Sequence, residues 1–135
     1  MTTRKINLSL SLICVLLLFT MVGCSGSKET EDAILEKIDA EQAKDMMDQE
    51  DVVILDVRTK EEFESGHIEG ALLLPDYEIS DKAETVLEDK TATILIYCRS
   101  GRRSAGAAQA LHNLGYKNIY DFGGINDWPY DIVKN

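Results

Sequence analysis

The chain has 135 residues, with 24 acidic side chains against 14 basic ones and a formal net charge of −10. This balance lacks the basic footprint that nucleic acid requires and the polybasic segment that binds anionic lipid headgroups. We therefore expect neither of these among the partners of the chain.

The N-terminus is typical of an exported protein. Arg4 and Lys5 precede an uncharged apolar run over residues 6–20, and the small Gly23 stands directly before Cys24. A basic start, an apolar centre and a small residue at the processing point predict a secretory signal peptide. The Gly23–Cys24 junction resembles a bacterial lipobox, which implies that Cys24 is lipidated and begins the mature chain.

The remaining chain suits one compact domain. We assign residues 1–23 to the signal peptide, 24–32 to the lipidated cysteine and a polar tether, and 33–135 to a single domain, for which a monomer is expected. The prediction is an extracytoplasmic lipoprotein of a bacterial cell membrane. The alternative is an uncleaved membrane anchor, because the 18 residues of the segment 6–23 reach the lower limit for a bilayer span.

The three cysteines have different predicted fates. Cys14 leaves with the signal peptide and Cys24 carries the lipid, so Cys98 remains as a single thiol. One thiol cannot form an internal disulfide, and metal-ligand spacings are absent, so no metal or other cofactor is expected. Cys98 is therefore either a buried, inert residue or a reactive group.

The first elements of the domain are predicted from apolar patterns and capping residues. Residues 33–38 form a candidate strand, and Asp39 caps a helix that runs to residue 49. The β-branched run 52–57 predicts a buried strand. Thr59 and Glu62 form a capping box at the start of a short helix that ends at Gly66, and residues 71–75 predict a strand that stops at Pro75.

The second half continues the alternation. Residues 80–88 predict a helix with Ala83, Val86 and Leu87 facing inward, and residues 92–98 predict a strongly buried strand. An alanine-rich helix is predicted over residues 104–114, followed by a strand at 118–122. Alternating strands and helices predict an α/β domain with a mostly parallel sheet and helices on both faces. Ligands of such sheets bind beyond the carboxyl ends of the strands, where "LDVR" and "YCRSGRR" lie.

Cys98 ends one of these strands and is followed by the loop Arg99-Ser100-Gly101-Arg102-Arg103. In a short turn from a strand to a helix, successive backbone N–H groups can face one concavity, to which the helix N-terminus adds partial positive charge. We expect these amides and guanidinium groups to lower the pKa of the thiol and to attract an anionic substrate. The alternative is that Cys98 is a buried, unreactive residue and that the arginines are simply solvated.

Three segments in order resemble the rhodanese-like domain of the single-domain thiosulfate sulfurtransferase type. They are "ILDVRTKEEFESGHIEGALLLP", "YCRSGRRS" and "DFGGINDW". The resemblance implies a five-stranded parallel sheet and two-step chemistry. Cys98 would take the outer sulfur of thiosulfate or polysulfide as a persulfide and pass it to a thiol or cyanide. Residues 99–103 would cradle the persulfide and bind the donor, with Arg102 and Arg103 in direct contact.

Other functions stay open at this point. A sulfane-sulfur carrier would load Cys98 once without turnover. Phosphatases and arsenate reductases of the same fold need an arginine six positions after the cysteine, and here that position is Ser104. A thiol redox protein is disfavoured, because no second cysteine is available to resolve a disulfide.

Two further residues lie at the end of the neighbouring strand. We expect Asp56 and Arg58 to support the loop, with Arg58 either pairing with Glu62 or adding to the positive field. His67 is expected to be structural and not the base of a Cys–His pair. Phe122 and Trp128 are expected in the core or over the site.

Overall fold

The computed structural model describes residues 32–134. The predicted signal peptide and Cys24 lie outside the described residues. In the part of the chain that is described, no helix is long and apolar enough to cross a membrane.

One parallel sheet organises the domain. Its strands are β1 (Ile34–Lys37), β2 (Val52–Asp56), β3 (Leu72–Leu73), β4 (Thr93–Cys98) and β5 (Asn118–Gly124). The order across the sheet is β1-β5-β4-β2-β3, and every pairing is parallel. The helices between them are α1 (Ala40–Gln49), α2 (Lys60–Ser65), α3 (Ile79–Val86) and α4 (Arg102–Asn113). Short 3₁₀ turns cover Asp76–Glu78 and Ile125–Asp127.

Capping boxes begin the first two helices. The Gln42 N–H donates to the Asp39 carboxylate at 2.8 Å, and the Asp39 N–H donates to the Gln42 side chain at 3.1 Å. Thr59 and Glu62 make the same exchange at the start of α2, at 3.3 and 3.1 Å. Both boxes satisfy amides that have no partner inside the helix, as the sequence predicted.

The sheet is covered on both faces, which confirms the predicted architecture. Ile94 and Ile96 of β4 pack in a cluster with buried residues of α3 and α4. Leu95 and Tyr97, which point to the opposite face, pack in a second cluster with residues of α1 and with Trp128. Cys98 belongs to the first cluster, at the carboxyl end of the central strand β4.

Three element predictions need correction. Helix α4 begins at Arg102, two residues before its predicted start, because Gly101 adopts φ +94° and turns the chain directly into the helix. Strand β3 has only two residues. Val86 is 41% exposed because α3 ends there, and Ile79 at the other end of the helix is buried instead.

Candidate active site

The loop after β4 wraps its backbone around Cys98. Cys98 has no exposed surface, and the Gly101 N–H donates to its Sγ at 3.0 Å. The left-handed φ of Gly101 brings this amide back towards the sulfur, a conformation that side chains with a Cβ disfavour. The predicted cradle is therefore built around the thiol, with Gly101 at its tightest point.

A second contact of the sulfur is with Ser104, which sequence reasoning did not assign to the site. Its Oγ lies 3.6 Å from Cys98 Sγ and is fully buried in the first turn of α4. The hydroxyl also reaches the carbonyl oxygens of Gly101, at 3.2 Å, and Gly123, at 3.3 Å. From the sequence, Ser104 was predicted to begin the helix and to occupy the position at which a phosphatase has an arginine, but not to contact Cys98.

The pKa of Cys98 lies below its ordinary value. Burial by itself raises the pKa, because it disfavours the charged thiolate. Hydrogen bonds from the backbone and hydroxyl of Ser104, and from the backbone of Gly101 and Ser100, lower it by more. Donors that favour the charged form thus outweigh desolvation, and the loop favours a thiolate.

The end of β5 and the turn that follows it contact the backbone of the active-site loop. Gly124 pairs with Cys98 in the sheet at an irregular register, and a Cβ at Gly124 would lie 2.3 Å from the carbonyl oxygen of Arg99. The Asn126 N–H donates to that same oxygen at 3.2 Å. The segment "DFGGINDW" therefore fixes the backbone of the active-site loop through a contact that only glycine permits.

Arg103 is held by a carboxylate from across the cleft. Its two terminal nitrogens donate to the two oxygens of Glu62, at 2.7 and 2.8 Å. These hydrogen bonds lower the pKa of Glu62 to about 2 and raise the pKa of Arg103. The salt bridge joins α4 to α2. Arg103 also lines the cleft beside the loop, and its predicted contact with the donor stays a prediction.

The other two arginines of the loop are exposed. Arg99 and Arg102 line a cleft of about 540 Å³ together with Glu62, Ser100, Arg103 and Asn126. Neither Arg99 nor Arg102 takes part in a salt bridge within residues 32–134. In the same range, no cluster of three or more His, Cys, Asp or Glu residues could hold a metal ion. The cleft thus presents two cations that have no salt-bridge partner in residues 32–134, at the loop that follows Cys98.

A comparison with protein families finds that the model of the rhodanese-like domain matches residues 39–130. The chain belongs to the rhodanese-like family. It is 34% identical over 80 residues to thiosulfate sulfurtransferase PspE of Escherichia coli, covering 59% of this chain and 77% of that protein. It is 36% identical over 112 residues to the putative sulfur carrier protein YrkF of Bacillus subtilis, covering 82% of this chain but only 59% of that protein.

A solved structure shows the same likeness. The rhodanese with anions from E. coli has a TM-score of 0.59 and 32% sequence identity, and the match covers 63% of this chain and all of that one. The five-stranded sheet with helices on both faces is therefore the rhodanese fold.

In this rhodanese-like domain, Asp56 and Arg58 form their own buried pair. Arg58 donates from Nε to both oxygens of Asp56 at 3.0 Å and from a terminal nitrogen at 2.6 Å, and it also donates to the carbonyl of Gly66 at 2.7 Å. The suggested pairing of Arg58 with Glu62 is wrong, because Glu62 binds Arg103. Arg58 also stacks over Tyr97, the residue before Cys98, with its guanidinium carbon 5.6 Å from the ring centre.

The remaining candidates are structural contacts. His67 stacks on Phe63 with ring centres 3.7 Å apart, and its Nδ1 lies 2.9 Å from the Phe63 carbonyl oxygen. Phe122 and Trp128 pack together with ring centres 5.6 Å apart in the cluster on the α1 face. These contacts place Phe122 and Trp128 in the core, while Cys98 lies in the cluster on the other face.

Proposed function

We propose that this rhodanese-like protein is a thiosulfate sulfurtransferase that carries the transferred sulfur as a persulfide on Cys98. The observation that carries the proposal is the Gly101 N–H pointing at Cys98 Sγ from 3.0 Å, in a loop that lowers the pKa of the thiol. A thiolate is the nucleophilic form of cysteine. The relative PspE, whose name includes thiosulfate sulfurtransferase, supports the choice of donor.

The reaction has two steps that balance. The Cys98 thiolate attacks the outer sulfur of thiosulfate, the S–S bond of the donor breaks, and sulfite leaves with the electron pair. Cyanide or a thiolate acceptor then attacks the outer sulfur of the Cys98 persulfide. The second S–S bond breaks, its electron pair returns to Sγ, and thiocyanate or a new persulfide departs. No external oxidant or reductant is required, and polysulfide can replace thiosulfate as donor.

Arg99 and Arg102 bind the donor in this proposal. Thiosulfate carries two negative charges, and Arg99 and Arg102 line the cleft at the Cys98 loop without a salt-bridge partner in residues 32–134. Charge-assisted hydrogen bonds to the sulfonate oxygens would hold the outer sulfur towards Cys98. Arg103 has a different role, because Glu62 already occupies its paired donors.

A sulfane-sulfur carrier is the second candidate. The match with the putative sulfur carrier protein YrkF covers 82% of this chain, although this chain spans only 59% of that relative. A carrier would form the same persulfide but would stop after one loading.

Intact mass of residues 25–135, which contain the whole described sheet and both core clusters, tests the proposal. The parent is expected to gain one sulfur atom from thiosulfate and to lose it to cyanide, whereas Cys98→Ala gains none. Failure of fully reduced Cys98 to gain sulfur from thiosulfate or polysulfide would contradict both candidates. Steady-state formation of thiocyanate separates them, because a carrier turns over poorly.

We also propose that the chain is a monomeric bacterial lipoprotein, anchored through Cys24 outside the cytoplasm. The basic start, the apolar run and the Gly23–Cys24 junction support this. Expression of the full chain in bacteria, with mass analysis of the mature N-terminus, is expected to find a diacylglyceryl group on Cys24. Cys24→Ser should lose the lipid and the membrane fraction. An unmodified N-terminus at Met1 would favour an uncleaved anchor.

A further inference from the structure

Ser104 places one hydroxyl among three acceptors. Its Oγ lies 3.6 Å from Cys98 Sγ, 3.2 Å from the Gly101 carbonyl oxygen and 3.3 Å from the Gly123 carbonyl oxygen. Ser104 has no exposed surface, so bulk water does not compete for the group. Because a hydroxyl has a single proton, it can donate to one of these acceptors at a time.

The charge on Cys98 decides which acceptor is favoured. While Cys98 is a thiol, its S–H donates to the Ser104 oxygen, and the Ser104 proton goes to a backbone carbonyl. A thiolate can only accept, and a charge-assisted hydrogen bond is roughly twice as strong as a neutral one. The Gly101 carbonyl oxygen also accepts the Ala105 N–H at 3.3 Å, so it keeps a partner when the hydroxyl turns away.

We infer that Ser104 is a catalytic residue whose hydroxyl turns from a backbone carbonyl to Cys98 Sγ whenever negative charge develops on that sulfur. In the discharge step, for which the inference rests on the proposed function, the electron pair of the broken S–S bond returns to Sγ. The hydroxyl then joins the Gly101 N–H in stabilising this leaving group. In the persulfide Sγ carries no charge, so the hydroxyl contact strengthens towards the transition state, as catalysis requires.

Removal of the hydroxyl should therefore speed the reaction of the Cys98 thiolate as a nucleophile and slow the discharge of the persulfide. Ser104→Ala is expected to raise the pKa of Cys98. Above that pKa, a more basic thiolate is more nucleophilic, by about threefold per pKa unit. The same change slows the discharge of the persulfide by a factor of the same order, because a thiolate of higher pKa is a poorer leaving group.

If Ser104 had only a structural role, its removal would not speed alkylation while it slows discharge. Loosening of the loop would change the access of both reagents to the buried Cys98, so alkylation and discharge would become faster together or slower together. The charged groups around Cys98 also stay in place in the variant: Arg99 and Arg102 beside the loop, Arg103 in α4 and Glu62 in α2. A shift in the pH profile is then due to the missing hydroxyl.

The experiment compares the parent, Ser104→Ala and Ser104→Thr, with Ser80→Ala as a control at an exposed serine of α3. Alkylation of Cys98 by iodoacetamide across pH gives the pKa and the rate constant of the thiolate. Cyanide added to the purified persulfide gives the discharge rate. Ser104→Ala should show a higher pKa, faster alkylation of the thiolate and slower discharge, while Ser104→Thr and Ser80→Ala follow the parent.

Three results would overturn the inference. They are an unchanged pKa in Ser104→Ala, a parallel change in the rates of both reactions in either direction, and a threonine variant that behaves like the alanine variant. Alkylation requires no sulfur transfer, so its pH profile decides the role of Ser104 on the thiolate even if the parent forms no persulfide. Failure of the proposed function would appear separately, as the absence of sulfur in the mass of the parent.

Discussion

Gly124→Ala tests whether the turn after β5 holds the active-site loop in place. Gly124 has φ −121° and ψ 144°, an extended conformation that alanine adopts without strain. The effect of the new methyl group must therefore come from contact. That carbon would lie 2.3 Å from the Arg99 carbonyl oxygen and 2.7 Å from the Ser100 Cα, both of which are backbone atoms that cannot rotate away.

The size of the effect follows from these distances. Real Cβ atoms essentially never approach other heavy atoms within 3.0 Å, so the Arg99 carbonyl must retreat by roughly 0.7 Å from its 2.3 Å position. Overpacking of this kind costs about 1–3 kcal/mol of the free energy of unfolding, and we expect the upper half of that range because backbone has to move. The shift should also stretch the Gly101 N–H···Sγ hydrogen bond from 3.0 Å and so raise the pKa of Cys98.

Gly106→Ala is the matched control, in the middle of α4. A Cβ at Gly106 meets no atom within 4 Å, so this variant should gain about 0.5–1 kcal/mol from helix propensity alone. Urea unfolding gives the stabilities, and the pH dependence of iodoacetamide alkylation gives the pKa of Cys98. A Gly124→Ala protein with the stability and the Cys98 pKa of the parent would refute the idea that this turn positions the loop.

Three further predictions concern charged residues. Arg103 lowers the pKa of Glu62 from its ordinary 4.5 to about 2, so the stabilisation is complete above pH 4.5 and is lost as the pH falls towards 2. Between pH about 6 and about 2.5, the free energy of unfolding measured with urea should therefore fall by about 1–2 kcal/mol more in the parent than in Glu62→Gln. The difference is modest because the pair is partly exposed, and equal falls in the two proteins would contradict the prediction. Arg58→Ala leaves the fully buried Asp56 carboxylate without its partner and should cost about 3–5 kcal/mol in urea unfolding; a cost below about 1 kcal/mol would show that the pair contributes little. Arg102→Ala should lower kcat/KM for thiosulfate by about tenfold, which corresponds to one lost charge-assisted hydrogen bond, without a change in the pKa of Cys98. Unchanged kinetics would remove Arg102 from the donor site.

Local patterns made most of the fold predictable. The capping boxes at Asp39 and Thr59 each act over three residues, so they set the starts of α1 and α2 without help from the rest of the chain. The start of α4 was misplaced because it depends on the backbone of Gly101, which glycine leaves undetermined in the sequence. The number of strands, five in a parallel sheet, came from the family resemblance. Their order β1-β5-β4-β2-β3 was not predicted, because periodicity does not say which strands are neighbours.

Within the site, prediction worked for contacts that are close in sequence. Cys98 and Gly101 are three residues apart, so the strand-to-helix turn already indicated the cradle. The salt bridge between Glu62 and Arg103 spans 41 positions, and the contact of Gly124 with Arg99 also joins distant segments. From the sequence, Glu62 was assigned its capping role and a suggested pairing with Arg58, but not its salt bridge with Arg103. Such contacts depend on the packing of α2 and β5 around the loop, which single-sequence reasoning does not supply.

The hydrogen-bond donors around Cys98 and the arginines of the cleft have separate roles. The hydrogen bonds that lower the pKa of Cys98 come from Ser104, Gly101 and Ser100, whereas Arg99 and Arg102 line the cleft. Amide and hydroxyl dipoles are fixed by the fold and stay with the sulfur. In the proposed reaction, Arg99 and Arg102 would take up the dianionic donor and release sulfite without contributing to the thiolate. If the arginines served both tasks, release of sulfite would also withdraw support from the sulfur, and donor binding and thiolate stability would change together.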